Sequence, residues 1–165
     1  MNVLSSKDLE QLIKQYGITN FNGIFSKDLL PDTLVKGWYI INLENHDEGN
    51  GTHWTCFKIT DEIQPLRKLE GKGGVKGEQS VPFNLYFDSF NFVAPKSVDE
   101  KIKPYIYNDK QIQDLTSSAC GWYCVACINF VEKHNVVGDY LAFKDFVNVF
   151  SKNQDFNDGI LQRYI

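Results

Sequence analysis

The chain has 165 residues, of which 42% are apolar and 14% aromatic, and a formal charge of −4. That length suits one domain, 1–165, with a real hydrophobic core, and the composition excludes a disordered chain. No apolar run approaches the roughly twenty residues of a membrane span, and the acidic balance argues against a surface given over to nucleic acid.

The first ten residues lack a charged head followed by an apolar stretch, so no secretory signal is read there. With four cysteines and no such signal, the expectation is a reducing compartment and free thiols. Ser5 or Ser6 can cap a first helix whose apolar stripe is Leu9, Leu12 and Ile13 and whose stop is Gly17. The stretch from Phe21 to Pro31, FNGIFSKDLLP, reads as a turn-rich connection. GWYIINLE and THWTCFKIT are aromatic and β-branched runs bounded by turn residues and predict two strands. Between them a loop with two glycines leads into His53.

A glycine- and lysine-rich stretch from Arg67 to Ser80 predicts an exposed, mobile loop between strands. FNLYFDSF is the next strand, with Leu85 and Phe87 alternating against Tyr86 and Asp88. A short helix should then stop before Pro104. A long helix follows from about Cys120 to about His134, with Ser117 or Ser118 as its cap, and a further one carries Phe143, Phe146, Val147 and Phe150 on one stripe. There are no internal repeats. The fold class is α+β, with a small mixed sheet packed against helices.

Three of the four cysteines, Cys120, Cys124 and Cys127, share one face of the long helix. A zinc site is disfavoured, because structural sites take paired ligands from turns and no second pair exists among Cys56, His46, His53 and His134. Cys124 and Cys127 read as small hydrophobes in a core. Cys120 differs, since the first turn of a helix stabilises an anion and lowers a thiol's pKa. Gly121 behind it leaves room for a substrate backbone. A nucleophilic thiol needs a base and a group to orient that base. His53 is the best-placed base, with His46 in a polar loop and His134 at a helix end. Asp88 interrupts an apolar run and is the candidate orienter, against the alternative of a turn-bonding aspartate. Gln111 and Gln113 are the nearby amides for an oxyanion, and spacing alone does not choose between them.

His53, Asp88, Gln113 and Cys120, set in GTHW, YFDSF and SSACGWYC, resemble the adenovirus-type maturation proteases, in the clan that includes the SUMO-specific proteases. The likeness covers most of the chain and includes FNGIFSKDLLP. It implies the fold of those cysteine proteinases, with the nucleophile at the start of a central helix. His53 would be general base, Asp88 orienting acid and Cys120 nucleophile. Gln113, seven residues before Cys120, would be the oxyanion glutamine, and Trp54 would help wall the cleft. The implied activity is endopeptidase cleavage of viral capsid or core precursors at Gly-Gly or Gly-x-Gly sites. It would act as a monomer in the virion and infected cell of a DNA virus or virophage. The chemistry needs no cofactor. Adenoviral members use a cysteine-containing peptide and DNA as activators. No cysteine between Cys56 and Cys120 is present to take that peptide's disulfide.

Two departures from the adenoviral pattern stand out. Asp88 replaces their glutamate and matches the aspartate of the SUMO proteases, and the stretch from His53 to Asp88 is longer. Leu69 to Gly74, LEGKGG, fits a cleavage site and raises self-processing against the plainer reading of a hairpin connection. Arg67, Lys68, Lys72 and Lys76 give a weak DNA contact its only local basis, against that of a solvated loop. The rivals to a maturation protease are an isopeptidase removing ubiquitin-like modifiers and a non-catalytic virion component.

Overall fold

A computed structural model describes residues 1–49, 53–60, 63–65 and 80–165, with 63–65 and 80–82 described by their backbone alone. Its architecture is mixed α+β. The main sheet has five strands, and two further strands pair in a separate ribbon. The Leu69–Gly74 motif and the basic residues from Arg67 to Lys76 lie outside the described residues.

Helix α1, Ser6–Gln15, begins where its sequence predicts: Ser5 accepts the Asp8 N–H while the Asp8 carboxylate accepts the Ser5 N–H. Leu9 and Ile13 are the face it buries. Next comes a strand, β1 (Phe21–Ser26), where the sequence reads as a turn-rich connection. Parallel pairing with β2 (Gly37–Asn42) supplies the hydrogen bonds that the local sequence, with Asn22 and Gly23, does not advertise. β2 then pairs antiparallel with β3 (Trp54–Ile59), and β3 pairs antiparallel with β6 (Asn84–Phe87). The ribbon strands are β4 (Ile63–Pro65) and β5 (Ser80–Pro82). After α2 (Lys96–Ile102) the chain adds β7 (Tyr105–Tyr107), parallel to β6; like β1, β4 and β5, it is a strand that the sequence reading does not anticipate.

Both faces of the sheet are covered, which explains why β2 is buried throughout rather than alternating. Trp38, Ile40, Cys56, Leu85 and Phe87 face one cluster, with α1, α3 (Cys120–His134) and α4 (Asp139–Asn148). Tyr39, Ile41, Phe57 and Tyr86 face the other, with Val98 and Ile102 of α2. Helix α3 is buried along most of its length, including Cys124, Val125, Cys127 and Ile128, so it is the central helix of its layer. Phe143, Phe146 and Val147 lie on the buried stripe of α4, and Phe150 joins them just past its end. The chain closes with α5 (Asn157–Leu161). Among the described residues no helix is long and apolar enough to cross a membrane.

A buried ion cluster ties the two layers together at the far end of β3. Lys58 pairs with Glu132 of α3 at 2.5 Å and with Asp139 of α4 at 2.8 Å, and the Trp38 indole donates to Glu132 at 2.8 Å. This cation can only sit there because two carboxylates compensate its lost hydration.

Candidate active site

His53 immediately precedes β3 and Asp88 immediately follows β6. Because Cys56 lies opposite Phe87 in the antiparallel register, the start of one strand and the end of the other share one edge of the sheet. The His53 Nε2 is 2.7 Å from Asp88 Oδ1, and both residues are buried, His53 being 8% exposed. The Phe90 ring stacks on the imidazole with centroids 4.5 Å apart. Asp88 is held in turn: its Oδ1 also accepts the Phe90 N–H at 2.8 Å, and Asn108 bonds its backbone N–H and carbonyl. Turn bonding and histidine orientation, alternatives in the sequence, are both made by this one carboxylate.

A carboxylate only accepts, so Nε2 of His53 carries the hydrogen toward Asp88. Nδ1 is then the ring nitrogen left over; it is buried and makes no full hydrogen bond to the protein. The side chain that interacts with the ring from elsewhere in the chain is Cys120, the first residue of α3. Burial opposes a charged imidazole, yet the hydrogen bond it donates to Asp88 and the interaction with Cys120 outweigh it and raise His53 from 6.5 to about 9. For Cys120, burial favours the thiol. His53 and the backbone N–H groups of Trp54 and Gly121 favour the thiolate more, and its pKa falls below the ordinary value. Each group of the pair thus favours the charged form of the other. The other three thiols go the opposite way: Cys56, Cys124 and Cys127 are fully buried, and burial is the main cause that raises each of them.

The start of α3 is built differently from the predicted serine cap. Ala119 occupies the cap position and supplies no side-chain hydrogen bond. Ser117 accepts the Ala119 N–H at 3.2 Å from just outside the helix, and Ser118 instead donates to the Met1 carbonyl at 3.2 Å. Cys120 still occupies the first turn, where unpaired N–H groups favour its anion.

Gly121 has a packing role. A Cβ there would lie 3.2–3.3 Å from Leu4 and Leu9, so the space that the sequence reading reserved for a substrate is filled by α1 and the segment before it. That segment runs beside the site, held by donors flanking the candidate residues. The Trp54 indole donates to the Leu4 carbonyl and the Trp122 indole to the Asn2 carbonyl, each at 2.9 Å. Nothing in the sequence signals these contacts beyond two tryptophans spaced around a histidine and a cysteine. Trp54 also borders a polar cavity of about 260 Å3, lined by Ser6, Ser26, Asn42 and Glu44 among others.

Gln113 is completely buried and its amide is bonded at both ends, Oε1 to the Ser89 hydroxyl at 2.6 Å and Nε2 to the Ser117 carbonyl at 2.7 Å. Gln111 is turned to another purpose, its Nε2 donating to the Gln113 carbonyl at 2.8 Å. The remaining histidines are engaged elsewhere: His46 pairs with Asp28 at 2.5 Å, and His134 bonds the Phe130 carbonyl at the end of α3. Among the described residues no group of three or more His, Cys, Asp or Glu side chains is placed to hold a metal. No protein-family model matches the chain, and comparison with curated proteins finds no match.

Proposed function

We propose that the chain is a cysteine endopeptidase of the adenovirus-type maturation protease fold, cutting structural precursor proteins at Gly-Gly or Gly-x-Gly sites. The observation that carries this reading is the Cys120–His53–Asp88 arrangement: Asp88 bonds the ring at 2.7 Å and with Cys120 raises the imidazole's pKa, while His53 in turn lowers the thiol's. A buried structural cysteine needs no such partner, and in Cys56, Cys124 and Cys127 burial, the largest cause, raises the thiol instead.

The Cys120 thiolate attacks the scissile carbonyl carbon, and the negative charge moves to the carbonyl oxygen, where Gln113 Nε2 and the Cys120 N–H would bind it. The His53 imidazolium gives its proton to the amine as the C–N bond breaks, leaving a thioester and a neutral ring. His53 then takes a proton from water, hydroxide attacks the thioester, and the C–S bond breaks to restore thiolate and imidazolium. All four thiols are free and buried, so none offers a surface sulfur to a disulfide-linked activating peptide. That favours an enzyme working without this covalent activator.

The test is incubation with a panel of Gly-Gly and Gly-x-Gly peptides, with and without DNA, beside the Cys120→Ala variant. Cleavage lost in the variant is the expected result. Full cleavage by Cys120→Ala overturns the assignment. Asp88, the acid type of the SUMO-specific branch, favours a second reading as an isopeptidase for ubiquitin-like modifiers. A ubiquitin or SUMO vinyl-sulfone probe that labels Cys120 selects that reading over the first.

A further inference from the structure

Asp88 and Ser89 are neighbours at the end of β6, both buried, and their side chains serve different halves of the site. Asp88 holds His53. Ser89 holds Gln113 by two bonds and its neighbour by a third: its hydroxyl donates to Gln113 Oε1 at 2.6 Å, and its carbonyl accepts the N–H groups of Gln113 and Ile112 at 2.9 Å each. Across the amide, Gln113 Nε2 is 2.7 Å from the Ser117 carbonyl. A backbone carbonyl only accepts, so the nitrogen must face Ser117 and the oxygen must face the Ser89 hydroxyl. One Nε2 hydrogen is used on Ser117.

Ser117 is itself fixed. Its hydroxyl donates to Asp158 of α5 at 2.7 Å and accepts the Ala119 N–H, one residue before Cys120. The Tyr123 hydroxyl, one turn along α3, donates to the other Asp158 oxygen at 2.9 Å. A single chain of hydrogen bonds therefore runs from Ser89 through Gln113 and Ser117 to Asp158, which also grips the nucleophile helix.

We propose that Ser89 and Asp158 are positioning residues that act through Gln113, locking its amide so that one N–H stays aimed at the oxyanion. This rests on the protease reading and on Gln113 as its oxyanion donor. The strand end would thus set base and oxyanion donor together, from two consecutive residues.

The experiment compares wild type, Ser89→Ala, Ser89→Thr, Asp158→Asn, Gln113→Ala and the Ser89→Ala/Gln113→Ala double variant in full-length protein. Readouts are kcat and KM on a cleaved Gly-Gly or Gly-x-Gly peptide, and the pH dependence of Cys120 alkylation by iodoacetamide. Ser89→Ala should lower kcat by roughly tenfold to a hundredfold, in the range seen when an oxyanion donor is lost or misplaced. KM and the alkylation profile should not move, because His53 and Cys120 keep their partners. Ser89→Thr, which keeps a hydroxyl, should recover most of the turnover, and Asp158→Asn should lower kcat in the same manner from the other end. In the Gln113→Ala background the Ser89 change should add nothing. An activated wild-type thiolate with undiminished Ser89→Ala turnover overturns this proposal alone, as do independent, additive losses in the double variant. A wild-type Cys120 that alkylates as an ordinary thiol and cuts no peptide overturns the protease reading, and this proposal with it.

Discussion

Replacing Asp88 by asparagine removes the charge that holds His53 protonated while keeping the shape of the side chain. Raising the ring from 6.5 to about 9 corresponds to roughly 3 kcal/mol in favour of imidazolium, achieved against the burial that opposes it. In Asp88→Asn burial remains and the carboxylate's charge is gone, leaving Cys120 as the remaining influence that favours imidazolium, so His53 should titrate below its wild-type value of about 9. At pH 7 the protonated fraction should then fall from the nearly complete protonation of the wild type. Without imidazolium beside it, Cys120 loses the largest influence lowering its pKa and returns toward an ordinary thiol, only a few per cent ionised at neutrality. Alkylation of Cys120 by iodoacetamide at pH 7 should therefore slow, and its pH profile should move to higher pH, toward that of a free thiol. Cys56, Cys124 and Cys127 are buried with raised pKa values, so the signal belongs to Cys120, and Cys120→Ala supplies the blank. An Asp88→Asn profile that overlays the wild type would refute the ion-pair argument.

The pH dependence of the wild type carries its own sign. A raised histidine pKa gives stability that is complete below 6.5 and is lost as pH rises through about 9, and turnover should fall on that same alkaline limb as the general acid deprotonates. Chemical denaturation and peptide cleavage measured from pH 6 to 10 check both, and a flat stability curve would contradict the shift. Lys58→Met should destabilise by about 3–5 kcal/mol, since Glu132 and Asp139 lose the cation they share. A denaturation midpoint equal to the wild type would contradict that role. Gly121→Ala should cost about 1–3 kcal/mol, because its methyl would meet Leu4 and Leu9 at 3.2–3.3 Å; a neutral result in the same assay would show that α1 yields freely. Truncating Leu4 to alanine should cost about 2–4 kcal/mol through its buried side chain, read from the same denaturation curves, and an unchanged midpoint would show that the segment before α1 is not anchored.

The elements that carry the candidate site were legible because their signals are local. Gly37–Asn42 and Trp54–Ile59 are strand-like in composition, and α3 begins and ends at the residues its pattern predicts. Strands β1 and β7 escaped for the opposite reason. Asn22 and Gly23 look like a turn, and Tyr105–Tyr107 is too short to show a period; both owe their order to hydrogen bonds from strands distant in sequence. The same distinction holds within the site. That His53, Asp88 and Cys120 are candidates to be weighed together was readable, whereas the hydrogen bonds of Ser89, Ser117 and Asp158 depend on two loops and α5 meeting, which no spacing encodes. Gly121 was misread because a glycine beside a nucleophile leaves a space on one side only, and sequence does not say that Leu4 fills it.

The central claim is that Cys120 forms a covalent acyl intermediate with His53 as its proton carrier. Acid-quenched intact-mass spectrometry during cleavage of a glycine-containing peptide tests it directly. The account predicts a transient species heavier by the acyl half of the substrate, mapped to Cys120 and missing in Cys120→Ala. Peptide cleavage that continues in Cys120→Ala, or an adduct that maps to another residue, would contradict it.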